Sequence, residues 1–372
     1  MKRYFFYIVI LLSVGCKERF DPPALAINTN NLVVEGLINT GQGPTNITLT
    51  RTAKLIDSVF FKPERNAIVT VEGEDNSVSP LYESGNGLYT ASQLFVNNNI
   101  KYRLHIKTND GKEYASDFVA VKQTPSIDSV SWKQEANGVQ LYANTHDPQN
   151  NTTYYKWDFE ETWEIHSPLP ADYRYIGNGT VILDFNQNTR VCWKYGQSKN
   201  IIIGSSAKLQ SDVIHESPLL FIASNSEKIG VRYSLLLKQY ALDKKAYAFY
   251  NVMKKNTESL GSIFDAQPSE LRGNIHCLSN PEELVVGYIQ ASNISEKRLF
   301  ITNSELKNWN YRMNCETIEV KNDPDSIEYF YPNQLLPYSA KMEGPSISYY
   351  YSAYPQCVDC TLRGSNVKPA YW

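Results

Sequence analysis

No apolar run in this 372-residue sequence is long enough to cross a bilayer as a helix, which takes roughly 20 residues. Charge of one sign is also missing. Lys and Arg number 36 against 39 Asp and Glu, for a net charge of −3, so no broad basic face for nucleic acid is implied. Histidine is scarce and scattered (His105, His146, His166, His215, His276), with none of the paired helical spacing of a zinc protease. There is no Gly-x-Ser-x-Gly elbow, no phosphate loop and no dinucleotide fingerprint. These absences remove the common signatures of hydrolases and nucleotide enzymes, and no cofactor or metal is expected.

What is present begins at the N-terminus. Lys2-Arg3 precedes the apolar run Tyr4 to Leu12, and Ser13-Val14-Gly15-Cys16 follows. A charged start, a short apolar segment and small residues make a secretory signal. Leu12 to Cys16 resembles a bacterial lipobox, in which the cysteine is acylated and becomes the new N-terminus. Several acyl chains on one cysteine give stable anchoring at about 0.8 kcal/mol per buried methylene. The expectation is a lipid on Cys16 and an outer-membrane location, on the periplasmic or the cell-surface face. Lys17-Glu18-Arg19 ends the apolar stretch, and Phe20-Asp21-Pro22-Pro23 reads as part of a stiff tether.

Five further cysteines are Cys192, Cys277, Cys315, Cys357 and Cys360. An envelope location permits disulfides, and an odd number leaves at least one thiol unpaired within the chain. Four of the five lie late in the sequence, which points to local stapling there. Cys357-x-x-Cys360 has redox-site spacing, but Thr361-Leu362-Arg363-Gly364 does not begin a helix that would lower a thiol pKa. Zinc would need Cys277 and Cys315 as further ligands. A structural disulfide is the stronger reading.

The remainder reads as mainly β, with 26 tyrosines favouring strands. Asn46 to Arg51 and Lys101 to Lys107 alternate strictly, and Gly85-Asn86-Gly87 and Asn109-Asp110-Gly111-Lys112 are hairpin turns. The spacing predicts an immunoglobulin- or transthyretin-like β-sandwich over 31–123. A larger β-rich domain with one or two helices follows over 124–372, after a signal peptide at 1–15 and a lipidated cysteine and tether at 16–30. Further strands are expected at Ser129 to Trp132, Gly138 to Ala143, Tyr154 to Glu160, Val231 to Leu237, Leu284 to Ile289 and Arg298 to Ile301. A helix is expected near 243–256, capped by Asp243 and apolar at Ala246, Phe249, Tyr250 and Met253.

Several motifs carry candidate chemistry. Trp157 to Glu164 combines carboxylates with aromatic rings, as a glycosidase cleft does, which nominates Glu160, Glu161 and Glu164. Strand alternation instead puts Trp157, Phe159 and Glu161 on one face, and Asp158 and Glu160 on the other, a buried and a solvated face. Asp323-Pro324-Asp325 with Glu328 offers oxygen ligands for calcium, although a loop turn is the much stronger reading. Tyr349, Tyr350, Tyr351 and Tyr354 form a candidate interface, since three consecutive tyrosines cannot all face one core. Asp57-Ser58-Val59, Asp128-Ser129-Val130 and Asp325-Ser326-Ile327 resemble a bacterial O-glycosylation sequon.

Several segments taken in order resemble one known family. They are Phe20 to Pro23 after the lipid cysteine, Leu32-Val33-Val34-Glu35-Gly36, Asp110 to Ser116, Tyr240 to Tyr250, Gly261 to Pro268, Gly273-Asn274-Ile275, Cys357 to Gly364 and Lys368 to Trp372. Together they resemble the domain of unknown function 4249 family of Bacteroidetes-type envelope lipoproteins. The resemblance implies an accessory role beside a TonB-dependent outer-membrane receptor and assigns no residue a catalytic or binding role. The expected function is therefore a non-enzymatic binding or accessory component, plausible for nutrient uptake. The alternatives are a direct glycan- or peptide-binding surface protein and an envelope hydrolase.

Overall fold

The computed structural model describes residues 30–53, 62–185, 188–258, 271–332 and 334–372. Cys16 and the tether lie outside the described residues, as do Asp57-Ser58-Val59 and Gly261 to Pro268. The chain is mainly β, and among the described residues no helix is long and apolar enough to cross a membrane.

Alternation builds the first unit. Thr45–Arg51 buries Thr45, Ile47, Leu49 and Arg51, and Lys101–Lys107 buries Tyr102, Leu104 and Ile106. These faces meet in one core with Leu32, Val69, Tyr89 and Tyr114. Neighbouring strands run Leu32–Gly36, Thr45–Arg51, Leu88–Ala91, Val78–Gly85, Ile68–Gly73, Lys101–Lys107, Val119–Lys122, Ala291–Ser292 and Ile38–Asn39. Since Ile38–Asn39 directly continues Leu32–Gly36, the order returns to its start, and pairing removes the exposed edges there.

The closing pieces come from far along the chain. Ile275–Cys277 pairs with Glu113–Ser116, and Ala291–Ser292 runs parallel to both Val119–Lys122 and Ile38–Asn39. Ile275, Cys277, Val285, Ile289 and Ala291 lie in the first core. The chain thus leaves this unit near residue 123 and returns to it at 274–292, so residues beyond 123 complete the core expected for 31–123 alone. The strand expected at Leu284 to Ile289 is a correction: only Val286 bridges, to Val33. Gly287 breaks the extension with φ +149°, and a Cβ there would meet Val34 O at 2.3 Å. A Cβ on Gly273 would lie 1.5 Å from Gly287 O, so the returning chain needs glycine at both places.

The second unit packs two sheets. Ile127–Glu135, Gly138–His146 and Val213–Ala223 form one. The other is centred on Tyr154–His166, with Arg232–Ala241 and then Ser295–Thr302 on one side and Val191–Gln197 and Ile202–Ser205 on the other. Val139 and Leu141 meet Trp157, Phe159, Leu235 and Leu237 between them. Asp243 caps the helix Lys244–Glu258, accepting from the Ala246 N–H at 2.7 Å, and the helix buries Ala246 and Phe249. A smaller sheet of Ile318–Lys321, Ser346–Ala353 and Leu336–Glu343 packs with the hairpin Tyr173–Gly177/Thr180–Leu183 and the helix Pro324–Phe330.

Candidate functional site

The strand Tyr154–His166 organises the site. Its alternation puts Trp157, Phe159 and Glu161 inward. Trp157 donates to the Gln239 side chain at 2.8 Å. Glu161 is buried, yet both its oxygens accept from Lys228 Nζ at 2.7 Å, and the Tyr233 hydroxyl donates to it at 2.7 Å. Burial first, and the Glu161 charge second, push the Tyr233 phenol well above its ordinary pKa, so it stays a donor.

On the other face Glu160 pairs with Lys238, and Asp158 with Lys156. Thr162 shares a 2.7 Å hydrogen bond with the Tyr371 hydroxyl. Glu164 accepts from Trp372 Nε1 at 2.9 Å through one oxygen and meets His166 Nε2 at 2.6 Å through the other. Glu160, Glu161 and Glu164 therefore do not converge on one cleft. Each is engaged by its own partner, and Glu161 lies on the opposite face from the other two.

At the end of this strand is a cavity of about 290 Å³. Its apolar lining includes Ile165, Pro168, Val231, Tyr311 and Met313. Glu227 and Arg363 form its polar side, joined at 3.1 Å, with Lys194 Nζ on Glu227 at 2.8 Å and Arg363 donating to His166 O at 3.1 Å. Arg312 is exposed at the rim. Glu164 orients His166 as a carboxylate orients a general base, but the lining holds no Ser, Thr or Cys as a nucleophile. The cavity can seat a small amphipathic body, apolar against its floor and polar against Arg363 and Arg312. Sequence reasoning missed Glu227, Tyr311, Met313 and Arg363 because they come from separate segments, with no local pattern to join them.

The cysteines form two disulfides, Cys192–Cys360 across 168 residues and Cys315–Cys357 across 42. Cys315–Cys357 is the local staple expected late in the chain, whereas Cys360, three residues after Cys357, reaches back to Cys192. Cys277 is buried in the first core and unpaired.

The tyrosines divide by strand parity. Tyr350 is buried against Tyr173, whereas Tyr349 lies under Lys341, and Tyr351 stacks on Tyr338. Tyr354 is 47% exposed beyond the strand. They share no single face.

Asp323 caps the helix Pro324–Phe330 through the Ser326 N–H, while Glu328 accepts from Tyr175 and from the Gly179 N–H. Asp323 and Glu328 are thus spent on a cap and a hairpin clamp. No group of three or more His, Cys, Asp or Glu side chains among the described residues could hold a metal ion. Ser129 is exposed near a bulge, and the Ser326 hydroxyl donates to Asp323.

A family model described as Domain of unknown function (DUF4249) matches residues 17–298. Curated proteins yield no match. Among solved structures, the chain is similar to the chicken interferon gamma receptor alpha chain at 9% identity, covering 57% of this chain and 90% of that one, with a TM-score of 0.16. A putative carbohydrate binding protein from Bacteroides uniformis matches with the same identity, coverage and TM-score. The chitinase ChiA74 of Bacillus thuringiensis matches at 12% identity over 52% of this chain and 29% of its own, also at 0.16. Likenesses that low carry no argument about fold or function.

Proposed function

The chain belongs to the DUF4249 family, and from that membership we propose that it is an outer-membrane lipoprotein, anchored through Cys16, that acts as a non-enzymatic binding component beside a TonB-dependent uptake receptor. The signal pattern and the lipobox-like ending at Cys16 motivate the anchor. The observation that carries the binding role is the commitment of the acidic side chains around the cavity. Glu164 is held by His166 and Trp372, and Glu227 by Lys194 and Arg363. The ion-paired Glu227 and the hydrogen-bonded Glu164 support architecture and recognition.

The test is affinity purification of the full-length lipidated protein from membranes in mild detergent, with Cys16→Ala as control. Co-purification of a β-barrel receptor with the anchored form alone is the expected result. Recovery of the protein alone, at near-full yield, overturns the receptor role.

The cavity beside Tyr311 favours a second reading, direct binding of a glycan or peptide at the surface. That reading expects affinity for a free glycan or peptide without any barrel present, lost on Tyr311→Ala.

A further inference from the structure

The first unit opens at one corner. Val78–Gly85 belongs to two sheets: Val78 to Leu81 pairs with Ile68–Gly73, and pairing with Leu88–Ala91 begins only at Tyr82, opposite Thr90. Beyond that pair the two chains diverge. The gap has a volume of about 330 Å³ and is lined by Val78, Pro80, Tyr82, Gln93, Leu94 and Phe95, all uncharged. Phe95 is 91% exposed, Tyr82 73% and Val78 60%.

The backbone in this gap is equally unpartnered. Ser92 to Val96 make no hydrogen bond, by N–H or C=O, to any other described residue. The second edge of Val78 to Leu81 also carries no strand among the described residues. Pro80 removes a donor from that edge, which leaves Ser92 to Val96 as the side competent to pair. Unpaired backbone beside exposed apolar side chains is what an added strand uses: main-chain bonds hold it, and alternate side chains fill the flanking gaps. Phe95 and Tyr82 leave apolar surface open to solvent beside this backbone.

The gap and Leu32 lie at opposite ends of the strand Thr45–Arg51. Leu32, next after the tether, is opposite Arg51, whereas Thr45, at the other end of the same strand, is opposite Ala91, just before the gap. At about 3.3 Å per residue, the strand Thr45–Arg51 separates the two ends by roughly 20 Å.

We propose that the corner between Val78–Tyr82 and Ser92–Val96 is a docking slot for an extended segment of a partner protein. The segment is uncharged and apolar at alternate positions, and it adds as a strand along Ser92 to Val96. This deepens the binding role proposed above and rests on it. An extended segment is singled out because both the unpaired backbone and the uncharged lining select it, whereas a folded surface cannot reach the main chain in the gap between the strand Val78–Gly85 and the irregular segment Ser92–Val96.

The test uses the full-length lipidated chain, its Phe95→Asp variant and Phe185→Asp as a control at another exposed phenylalanine, purified from membranes as before. Hydrogen exchange is followed by mass spectrometry over residues 78–97. The expected result is a co-purifying barrel receptor with wild type and Phe185→Asp, at least tenfold less with Phe95→Asp, and exchange at Ser92 to Val96 slowed only in the complex. Equal melting temperatures for all three chains, expected from the exposure of Phe95, exclude misfolding. Equal recovery of the receptor by Phe95→Asp overturns the slot and leaves the binding role standing. No receptor with wild type overturns the binding role itself. Protection at Ser92 to Val96 that rises with protein concentration in the isolated chain identifies a second copy as the occupant and overturns the partner strand.

Discussion

Arg51 and Glu283 lie 3.5 Å apart at one end of the first unit, both almost wholly buried. Arg51 also bonds Glu64 at 2.6 Å, the Tyr114 hydroxyl at 3.2 Å and Asn30 O at 3.2 Å. Glu283 in turn accepts from Tyr114 at 2.7 Å and from Lys112 at 2.6 Å. One guanidinium therefore ties the root of the tether, a hairpin and the returning segment that closes the strand circuit.

Breaking such a network from one side leaves buried charge without compensation. Arg51→Met strands Glu64, while Glu283 keeps Lys112 and Tyr114, and is expected to cost about 3–5 kcal/mol. Tyr114→Phe removes only the bridging hydroxyl and is expected to cost about 1–3 kcal/mol. Denaturant midpoints of the two variants, read by far-UV circular dichroism, check the order. Equal losses would mean that the phenol, not the guanidinium, holds the joint.

The same cluster sets a pH dependence. Burial alone would raise the Glu283 pKa, but hydrogen bonds from Lys112 and Tyr114 outweigh it and hold the group below its ordinary 4.5. A depressed folded-state pKa means that the unfolded chain binds the proton first as pH falls. The stabilisation is therefore complete above about 4.5 and is lost as pH drops through the lower folded value. Glu283→Gln is expected to lower stability at pH 7 and to flatten the acid limb of the melting profile. An unchanged acid limb would assign the loss to other carboxylates.

Much of the fold was legible because alternation and turn chemistry are local. Thr45, Ile47, Leu49 and Arg51 share a parity, so even the burial of Arg51 was written in the strand, although its partners were not. The Asp243 cap and the helix after it were equally local. What escaped depends on the return of a distant segment: residues 274–292 carry too short a β pattern to announce the sheet they complete. The cavity residues Glu227, Tyr311 and Arg363 meet only through tertiary packing. The parity of Tyr349 to Tyr351 predicted that they could not share a face, but not which one turns inward.

The disulfides make a prediction about thiols. Cys192–Cys360 ties the central sheet to the C-terminal segment, and Cys315–Cys357 closes a shorter loop. By loop-closure entropy the two are worth about 5 and about 4 kcal/mol. Cys192→Ser is therefore expected to destabilise at least as much as Cys315→Ser. Cys16 set aside, native protein should take up no alkylating reagent, because Cys277 is buried, and denatured unreduced protein should take up one equivalent. Two or more equivalents after denaturation would show an open disulfide.

The last two residues make a prediction about the outer face of the central sheet. Arg298 stacks 3.6 Å from the Tyr371 ring centre, and Arg232 lies 5.2 Å from that of Trp372. Trp372 also meets Trp193 and Phe300 edge-on and donates to Glu164. Each cation–aromatic contact is worth about 0.5–2 kcal/mol and each aromatic pair about 0.5–1.5. These contacts overlap in one ring, so Trp372→Ala is expected to lose about 2–4 kcal/mol rather than their sum. Arg298→Ala is expected to lose about 1 kcal/mol, because it also gives up the hydrogen bond to Ser234. Glu164 loses a donor in Trp372→Ala but keeps His166, so Trp372→Phe separates the indole hydrogen bond from the packing. If Trp372→Phe matches wild type in urea denaturation while Trp372→Ala does not, packing on Arg232 and Phe300 holds the tail. If the two fall together, the bond to Glu164 holds it, and the rim of the cavity is set by that single N–H.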